Sequence, residues 1–198
     1  MNFFALLCLF LFLLCPATTA LAHPHVFVDF TLSFVFDDNG LAGIEERWVF
    51  DEMFTSMVLY DFDRDKNLSL DENEVTEIKE EYFSSLKDYA YFTHVQINGK
   101  AFEVQYIRDF FAEVENGKLV YRFFVPCHVS ATSSLKEILV SIYDDSYYTD
   151  MAPVPDALSF QGSADRYQIE YSTDEKSEFA YYFGMIVPRA VTVKFRNR

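Results

Sequence analysis

Residues 25–36 alternate between apolar and polar side chains, and this alternation constrains the fold more than any other feature. The face that we expect to be buried carries Val26, Val28, Phe30, Leu32, Phe34 and Phe36. The opposite face carries His25, Phe27, Asp29, Thr31 and Ser33. A period of two over this length predicts a long strand with one buried face. The turn signal at residues 37–40, Asp-Asp-Asn-Gly, predicts a returning strand over residues 41–50.

The chain returns to strand-like sequence after residue 91. The predicted strands are 92–97, 101–107, 110–114, 118–125, 137–143, 166–171 and 190–195. Residues 151–165 contain Pro and Gly and are predicted to form a loop. The 22 Phe and 13 Tyr favour strands, because flat rings pack well on a pleated surface. We expect one α+β domain over residues 23–198, an antiparallel sheet or sandwich with a helical hairpin inserted at 51–90.

The insert has the three-and-four spacing of helices instead of the alternation of strands. Asp51 is positioned to cap a first helix, and a second helix carries apolar residues from Val75 to Tyr89. Ser69 and Glu72 have the spacing of a capping box for the second helix. Two helices joined by a polar loop are therefore expected.

The loop DFDRDKNLSLDE, residues 61–72, has the spacing of an EF-hand calcium loop. Ca²⁺ needs hard oxygen ligands, and this spacing arranges them around one ion. The predicted calcium ligands are Asp61, Asp63, Asp65, Asn67, Ser69 and Glu72. Lys66 stands where the sharp turn normally has Gly, and a left-handed non-Gly residue costs about 1–2 kcal/mol. The alternative interpretation is an acidic, solvated turn that binds no metal.

Residues 1–22 have the pattern of a secretory signal peptide. They carry no charge, and their apolar run is shorter than the roughly 20 residues that span a bilayer. Small residues at Ala20 and Ala22 predict cleavage after Ala22, which leaves a periplasmic or secreted protein without a membrane anchor. Lipidation at Cys15 is the alternative, and the bulky residues before Cys15 disfavour it.

Two of the four histidines lie at the start of the first predicted strand. His23, His25 and Asp29 share one face of that strand, where alternate residues are roughly 7 Å apart. Imidazole and carboxylate groups bind Zn²⁺, Ni²⁺, Co²⁺ and Cu²⁺, and His94 is the best additional ligand. Other candidate donors are His128, Asp144, Asp145 and Asp150. The alternative is that His23 and His25 form only a polar amino terminus.

The formal net charge of −15 bears on the choice of partners. Nucleic acid and anionic membrane surfaces repel such a chain, whereas cations are attracted to it. The sequence has no nucleophile-elbow, phosphate-loop or H-E-x-x-H motif, so we do not expect an enzyme. Cys127 is the one cysteine after residue 22, and we expect it to be a small buried apolar residue.

The segments HPHVFVD, WVFDEMF, YFTHVQINGK and YDDSYYTDM follow one another along the chain after residue 22. Together with the acidic loop they resemble the bacterial domain-of-unknown-function 1007 family. Members of that family are labelled the periplasmic component of an uncharacterised ABC-type transport system, and they accompany nickel/cobalt- or zinc-type permeases. The resemblance implies metal ligands at His23, His25, Asp29 and His94. The family tends to have Gly at the position of Lys66.

The sequence therefore favours two hypotheses about function. The first is a periplasmic accessory protein that binds a divalent transition metal and exchanges it with a membrane permease. The second is a calcium-stabilised extracytoplasmic protein-interaction module in which the amino-terminal histidines are incidental. A hydrolase with a His/Asp metal site is a third and weaker interpretation.

Overall fold

The computed structural model describes residues 24–198, so the predicted signal peptide and His23 lie outside the described residues. The strands are β1 (Val26–Phe36), β2 (Gly40–Phe50), β3 (Thr93–Ile97), β4 (Lys100–Phe102), β5 (Arg108–Glu115), β6 (Lys118–Ser130), β7 (Lys136–Ile142), β8 (Thr149–Gly162), β9 (Tyr167–Glu175) and β10 (Arg189–Asn197). The helices are α1 (Glu52–Phe62) and α2 (Glu72–Glu81), with 3₁₀ segments at Phe83–Phe92, Ala164–Arg166 and Ser177–Phe179.

The first strand buries the face that its alternating sequence predicts to be buried. The side chains from Val26 to Phe36 that were assigned to the apolar face are all buried. A turn at residues 37–40, in which Asp37 Oδ1 accepts the Asn39 amide at 2.7 Å, leads into β2. β2 then pairs with β1 in antiparallel register.

The strands form two five-stranded sheets that share one core. The strand order is β5-β6-β2-β1-β8 in the first sheet and β4-β3-β7-β10-β9 in the second. Phe36 of the first sheet and Phe195 of the second meet edge to face, with ring centroids 5.1 Å apart. The predicted α+β class is confirmed, with strands predominating over helices.

Three expectations about the strands are wrong. The strand predicted at 101–107 covers only Lys100–Phe102. Residues 149–162 form strand β8, not a loop, and β8 pairs with β1 in parallel, so the first sheet is mixed. The pairing shifts where Pro153 pairs with Phe30 and Leu158 with Leu32, which leaves a bulge of residues 154–157. β8 is an edge strand, and an edge tolerates Pro because the missing N–H can face solvent.

The insert contains the two predicted helices, and the second begins later than predicted. Asp51 caps α1 by accepting the amides of Met53 and Phe54. Asp71 caps α2, and its capping-box partner is Glu74, two residues beyond the predicted pair Ser69 and Glu72. Within residues 24–198, none of the helices has the length and apolar character needed to cross a membrane.

Candidate metal site and aromatic cavity

Three carboxylates gather in the loop between α1 and α2. Each of Asp63, Asp65 and Glu74 offers an oxygen, and these oxygens lie within 4.8 Å of one another. Asp63 and Glu74 are buried, with exposed fractions of 7% and 4%, whereas Asp65 is exposed. The group has the hard oxygen donors that Ca²⁺ prefers.

Backbone amides hold these carboxylates in place. Asp63 accepts the amides of Asn67 at 3.1 Å and Leu68 at 2.9 Å through its two oxygens. Glu74 accepts the amide of Arg64 at 2.7 Å and that of Asp71 at 2.9 Å. The Arg64–Glu74 bond spans the loop, and the Asp63 bonds close the turn within it, so two buried acids fix the loop backbone and the start of α2.

No cationic side chain among the described residues forms an ion pair with Asp63, Asp65 or Glu74. Arg64 instead pairs with the exposed Glu77 at 2.6 Å. Two carboxylate charges about 5 Å apart repel each other by roughly 3 kcal/mol at an effective dielectric constant of 20. A divalent cation at this point would turn that repulsion into attraction, so the residues present fit a bound Ca²⁺.

The gathered set differs from the predicted calcium ligands at both ends of the loop. Asp61 lies within α1 and accepts a hydrogen bond from the Tyr82 hydroxyl at 3.1 Å. Glu72 is the first residue of α2 and is exposed. Neither belongs to the group of three carboxylates. The predicted set ended at Glu72 and so did not include Glu74, which lies two residues further along the chain.

The left-handed turn predicted at Lys66 is present, since its φ is 59°. Leu68 has a φ of 62° and is also left-handed. Asn67 lies between them, and its side-chain oxygen accepts the Ser69 amide at 2.7 Å. The predicted ligands Asn67 and Ser69 therefore lie in the loop beside the three carboxylates.

The predicted transition-metal residues are distributed over both sheets. His25 and Asp29 are exposed at the start of the first sheet, on the same side as Phe27, as the alternation predicts. His94 lies on β3 of the second sheet. Within residues 24–198, His25, Asp29 and His94 do not form a group with their ligand atoms within 4.8 Å of one another.

His94 already has partners in the fold. Its ring stacks on that of Tyr143 with centroids 3.7 Å apart, and its Nε2 lies 3.2 Å from the Tyr143 carbonyl oxygen. Because a carbonyl only accepts, Nε2 carries the hydrogen and Nδ1 keeps the lone pair that could bind a metal. Burial lowers the pKa of His94, which favours the neutral ring.

The other candidate donors have separate surroundings. Asp144 is buried and accepts the amides of Ser146 and Thr149. His128 is exposed on β6, and its neighbour Cys127 is buried as predicted. Burial raises the pKa of the Cys127 thiol to about 12, so the thiol is a poor metal ligand at neutral pH.

The buried side chain of Glu46 is hydrogen-bonded to Trp48, the single tryptophan. Glu46 has no exposed surface, and it accepts the Trp48 indole N–H at 2.9 Å. Thr93 Oγ1 lies 2.9 Å from both Glu46 Oε1 and the Tyr91 carbonyl oxygen. One hydroxyl hydrogen cannot serve two acceptors fully, whereas a protonated Glu46 supplies the second hydrogen. Burial raises the pKa of Glu46 to about 8, against the opposing effect of these hydrogen bonds.

A cavity of about 340 Å³ opens between the first sheet and the insert, and we call it the aromatic cavity. Nine of its fourteen lining residues are aromatic. Its principal aromatic side chains are Trp48, Phe50, Phe54, Phe83, Tyr89 and Phe92. Tyr121 also lines the cavity, and among the described residues its buried hydroxyl has no hydrogen-bond partner. The sequence pattern did not indicate this cavity, because its walls come from separate parts of the chain.

Comparison with known proteins places the chain in a family. Residues 8–181 match the family model described as "Protein of unknown function (DUF1007)". The chain belongs to this family. It is similar to an "Uncharacterized 15.5 kDa protein in trpE 3'region" of Spirochaeta aurantia, with 31% identity over 66% of this chain and 93% of the relative. It is also similar to an uncharacterised protein of Haemophilus influenzae, with 28% identity over 79% of this chain and 77% of the relative.

Proposed function

We propose that this protein is a calcium-stabilised extracytoplasmic binding module. The observation that carries the proposal is the gathering of Asp63, Asp65 and Glu74 between two helices, with no cationic side chain paired to them among the described residues. Three acids that lie this close need a counter-charge, and their oxygen atoms suit Ca²⁺ better than a soft transition metal.

The spacing of the gathered acids agrees with an EF-hand loop that begins at Asp63. The positions that supply ligands in such a loop are then Asp63, Asp65, Asn67, Ser69, Asp71 and Glu74. The sixth position, which needs a sharp turn, is Leu68 with its left-handed backbone. The eighth position is Leu70, whose side chain packs against the hydrophobic core. This register accounts for the burial of Glu74 and leaves Glu72 exposed.

Calcium in this loop would stabilise one wall of the aromatic cavity. Phe62, the last residue of α1, meets Tyr82 edge to face with ring centroids 5.1 Å apart. Tyr82 lines the cavity, and the insert also supplies Phe54, Phe83 and Tyr89 to its wall. A bound ion that fixes the end of α1 against α2 therefore restricts the movement of these side chains. The role of Ca²⁺ in this proposal is structural.

The predicted signal peptide supports an extracytoplasmic location. In that compartment, loops of this type bind Ca²⁺ with dissociation constants of roughly 10⁻⁴–10⁻³ M. Such an affinity suffices outside the cytoplasm. Two left-handed non-Gly residues, Lys66 and Leu68, raise the cost of the turn and favour this weaker range.

Calorimetric titration of the metal-stripped protein with Ca²⁺ tests the proposal. Glu74→Gln should weaken Ca²⁺ binding by at least about tenfold, because it removes the anionic ligand at the last position of the loop. Glu72→Gln is the matched control, since it makes the same change two residues away, and it should bind like the wild type. Equal loss in both variants, or no Ca²⁺ binding by the wild type, would contradict the proposal.

A second candidate function is a transition-metal accessory protein of a membrane permease. It is favoured by the exposure of His25 and Asp29 on one side of the first sheet, next to the position of His23 in the chain. Titration with Zn²⁺, Ni²⁺, Co²⁺ and Cu²⁺ tests it against a variant with alanine at both His23 and His25. Tight binding that the double variant loses would support it, and equal behaviour of the two proteins would exclude it.

A further inference from the structure

The aromatic cavity has a chemical character that narrows its ligand. Its volume of about 340 Å³ lies at the lower end of the range for small-molecule sites. Most of its wall is aromatic, and its polar residues come largely from one loop, residues 144–149. A wall of this kind binds an apolar body and uses a few polar groups for orientation.

Charge at the cavity distinguishes between classes of apolar ligand. Among residues 24–198, Asp144 is the one charged residue that lines the cavity, and none of the lining residues is Lys, Arg or His. An apolar acid such as a fatty acid would therefore bring its carboxylate beside Asp144 with no compensating cation. A cationic ligand is attracted by the carboxylate of Asp144 and by the chain as a whole, which carries a net charge of −15.

Asp144 also has remaining hydrogen-bonding capacity. One of its oxygens accepts the amide and hydroxyl of Ser146 at 2.9 and 2.7 Å, and the other accepts the Thr149 amide at 3.0 Å. A carboxylate has about four lone-pair positions, so these three bonds leave one for a ligand N–H. Aromatic rings add to this attraction, because the negative faces of Trp and Tyr rings bind cations.

We infer that the aromatic cavity binds a small hydrophobic cation, an alkyl- or arylammonium compound, with its charge toward Asp144. The inference rests on the proposed function in that it names what the calcium-stabilised module binds. It goes beyond that function because the cavity and its carboxylate lie outside the acidic loop.

Three compounds with the same phenylbutyl group provide the test: 4-phenylbutylamine, 4-phenylbutanol and 4-phenylbutyrate. Trp48 is the one tryptophan of the chain, so its fluorescence reports binding at the cavity wall. In saturating Ca²⁺ the amine should bind about tenfold more tightly than the alcohol, given the usual strength of cation–π and charge contacts. The butyrate should bind most weakly. Equal affinity for amine and alcohol, or tightest binding of the butyrate, would overturn the inference.

Two variants locate the binding, and circular dichroism checks that each is folded. Asp144→Asn should abolish the preference for the amine over the alcohol. Tyr89→Ala should weaken amine binding several-fold, because Tyr89 lines the cavity while 62% exposed. Tyr171→Ala makes the same change at a residue that is 60% exposed on β9, outside the cavity, and it should bind like the wild type. The same affinity in both tyrosine variants would contradict the assignment.

The two proposals fail separately. If Ca²⁺ does not bind but the amine binds as described, the calcium role is wrong and the cavity assignment stands. If Ca²⁺ binding depends on Glu74 but none of the three compounds changes Trp48 fluorescence or gives heat, the cavity assignment alone is wrong.

Discussion

The acidic loop and the core around Trp48 both bury carboxylates, and the partners of those carboxylates differ. In the loop, Asp63 and Glu74 lie close together, and their bonds come from backbone amides. In the core, Glu46 is alone and meets the side chains of Trp48 and Thr93. A single buried acid can be neutralised by a proton, as the raised pKa of Glu46 indicates.

The loop acids have a different requirement. Backbone amides donate to both oxygens of Asp63 and of Glu74. A cation preserves all of these bonds while it cancels the repulsion. We therefore propose that the core acid responds to pH and the loop acids respond to Ca²⁺, and four predictions test this division.

The largest expected effect is the pH dependence of stability at Glu46. Its pKa is raised from 4.5 to about 8, so the folded protein keeps a proton that the unfolded chain releases. This contribution is complete below pH 4.5 and is lost as pH rises toward 8, by about 1.4 kcal/mol per pH unit. Glu46→Gln should flatten that decline and exceed the wild type in stability at pH 8. Denaturant unfolding at pH 5 and pH 8 measures the free energy of unfolding of both proteins. The same decline with pH in the wild type and in Glu46→Gln would show that Glu46 is not the group responsible.

The second effect is stabilisation by Ca²⁺. A hundredfold excess over the dissociation constant should raise the free energy of unfolding by about 2.7 kcal/mol. Asp63→Asn should remove most of this gain, because it weakens a buried ligand that also organises the turn. Glu46→Gln should retain the full gain. Thermal melts with EDTA and with Ca²⁺ compare the three proteins, and a lost calcium response in Glu46→Gln would show that the two regions are not independent.

The third effect concerns transition metals at the first strand. If His25 and Asp29 contribute to a site, His25→Ala should weaken Zn²⁺ binding by about tenfold, a typical penalty for disturbing a metal site. Glu74→Gln should leave Zn²⁺ binding unchanged, because the two sites use different residues. Competition against a chromogenic zinc chelator measures both affinities. A drop of equal size in the two variants would mean that Zn²⁺ binds in the acidic loop.

The smallest effect is expected at Arg64. Its ion pair with Glu77 joins two exposed side chains, and such pairs contribute about 0–1 kcal/mol. Arg64→Gln should therefore change stability little and should slightly tighten Ca²⁺ binding by removing a nearby positive charge. A marked loss of stability without Ca²⁺ would show that Arg64 is the counter-charge of the loop acids, which would weaken the case for a metal.

Local patterns predicted much of this fold correctly. The alternation of β1, the turn before β2 and the Asp51 cap each depend on residues close in sequence, so the residues themselves reveal them. The same holds for the presence of two helices around an acidic loop. β8 was missed because Pro and Gly argue for a loop, and only its place at the sheet edge makes Pro acceptable.

The sequence predicted an acidic loop with candidate calcium ligands, but it did not predict which carboxylates lie close together. Repeated Asp residues made both Asp61 and Asp63 plausible first positions of a calcium loop. α1 extends to Phe62, so Asp61 lies in the helix and Asp63 follows it. The point at which a helix ends depends on packing against the rest of the fold. Four of the six predicted calcium ligands, Asp63, Asp65, Asn67 and Ser69, hold a ligand position in either register.

By itself the sequence determined the β-rich class, the family and the acidic loop between two helices, because each is encoded in residues near one another or in recognisable segments. Tertiary structure decided which carboxylates meet, that Glu46 is buried beneath Trp48, that His94 lies on a different sheet from His25, and that an aromatic cavity exists. These depend on contacts between residues far apart in the chain, and burial and charge at such contacts arise only when the two sheets and the insert pack together.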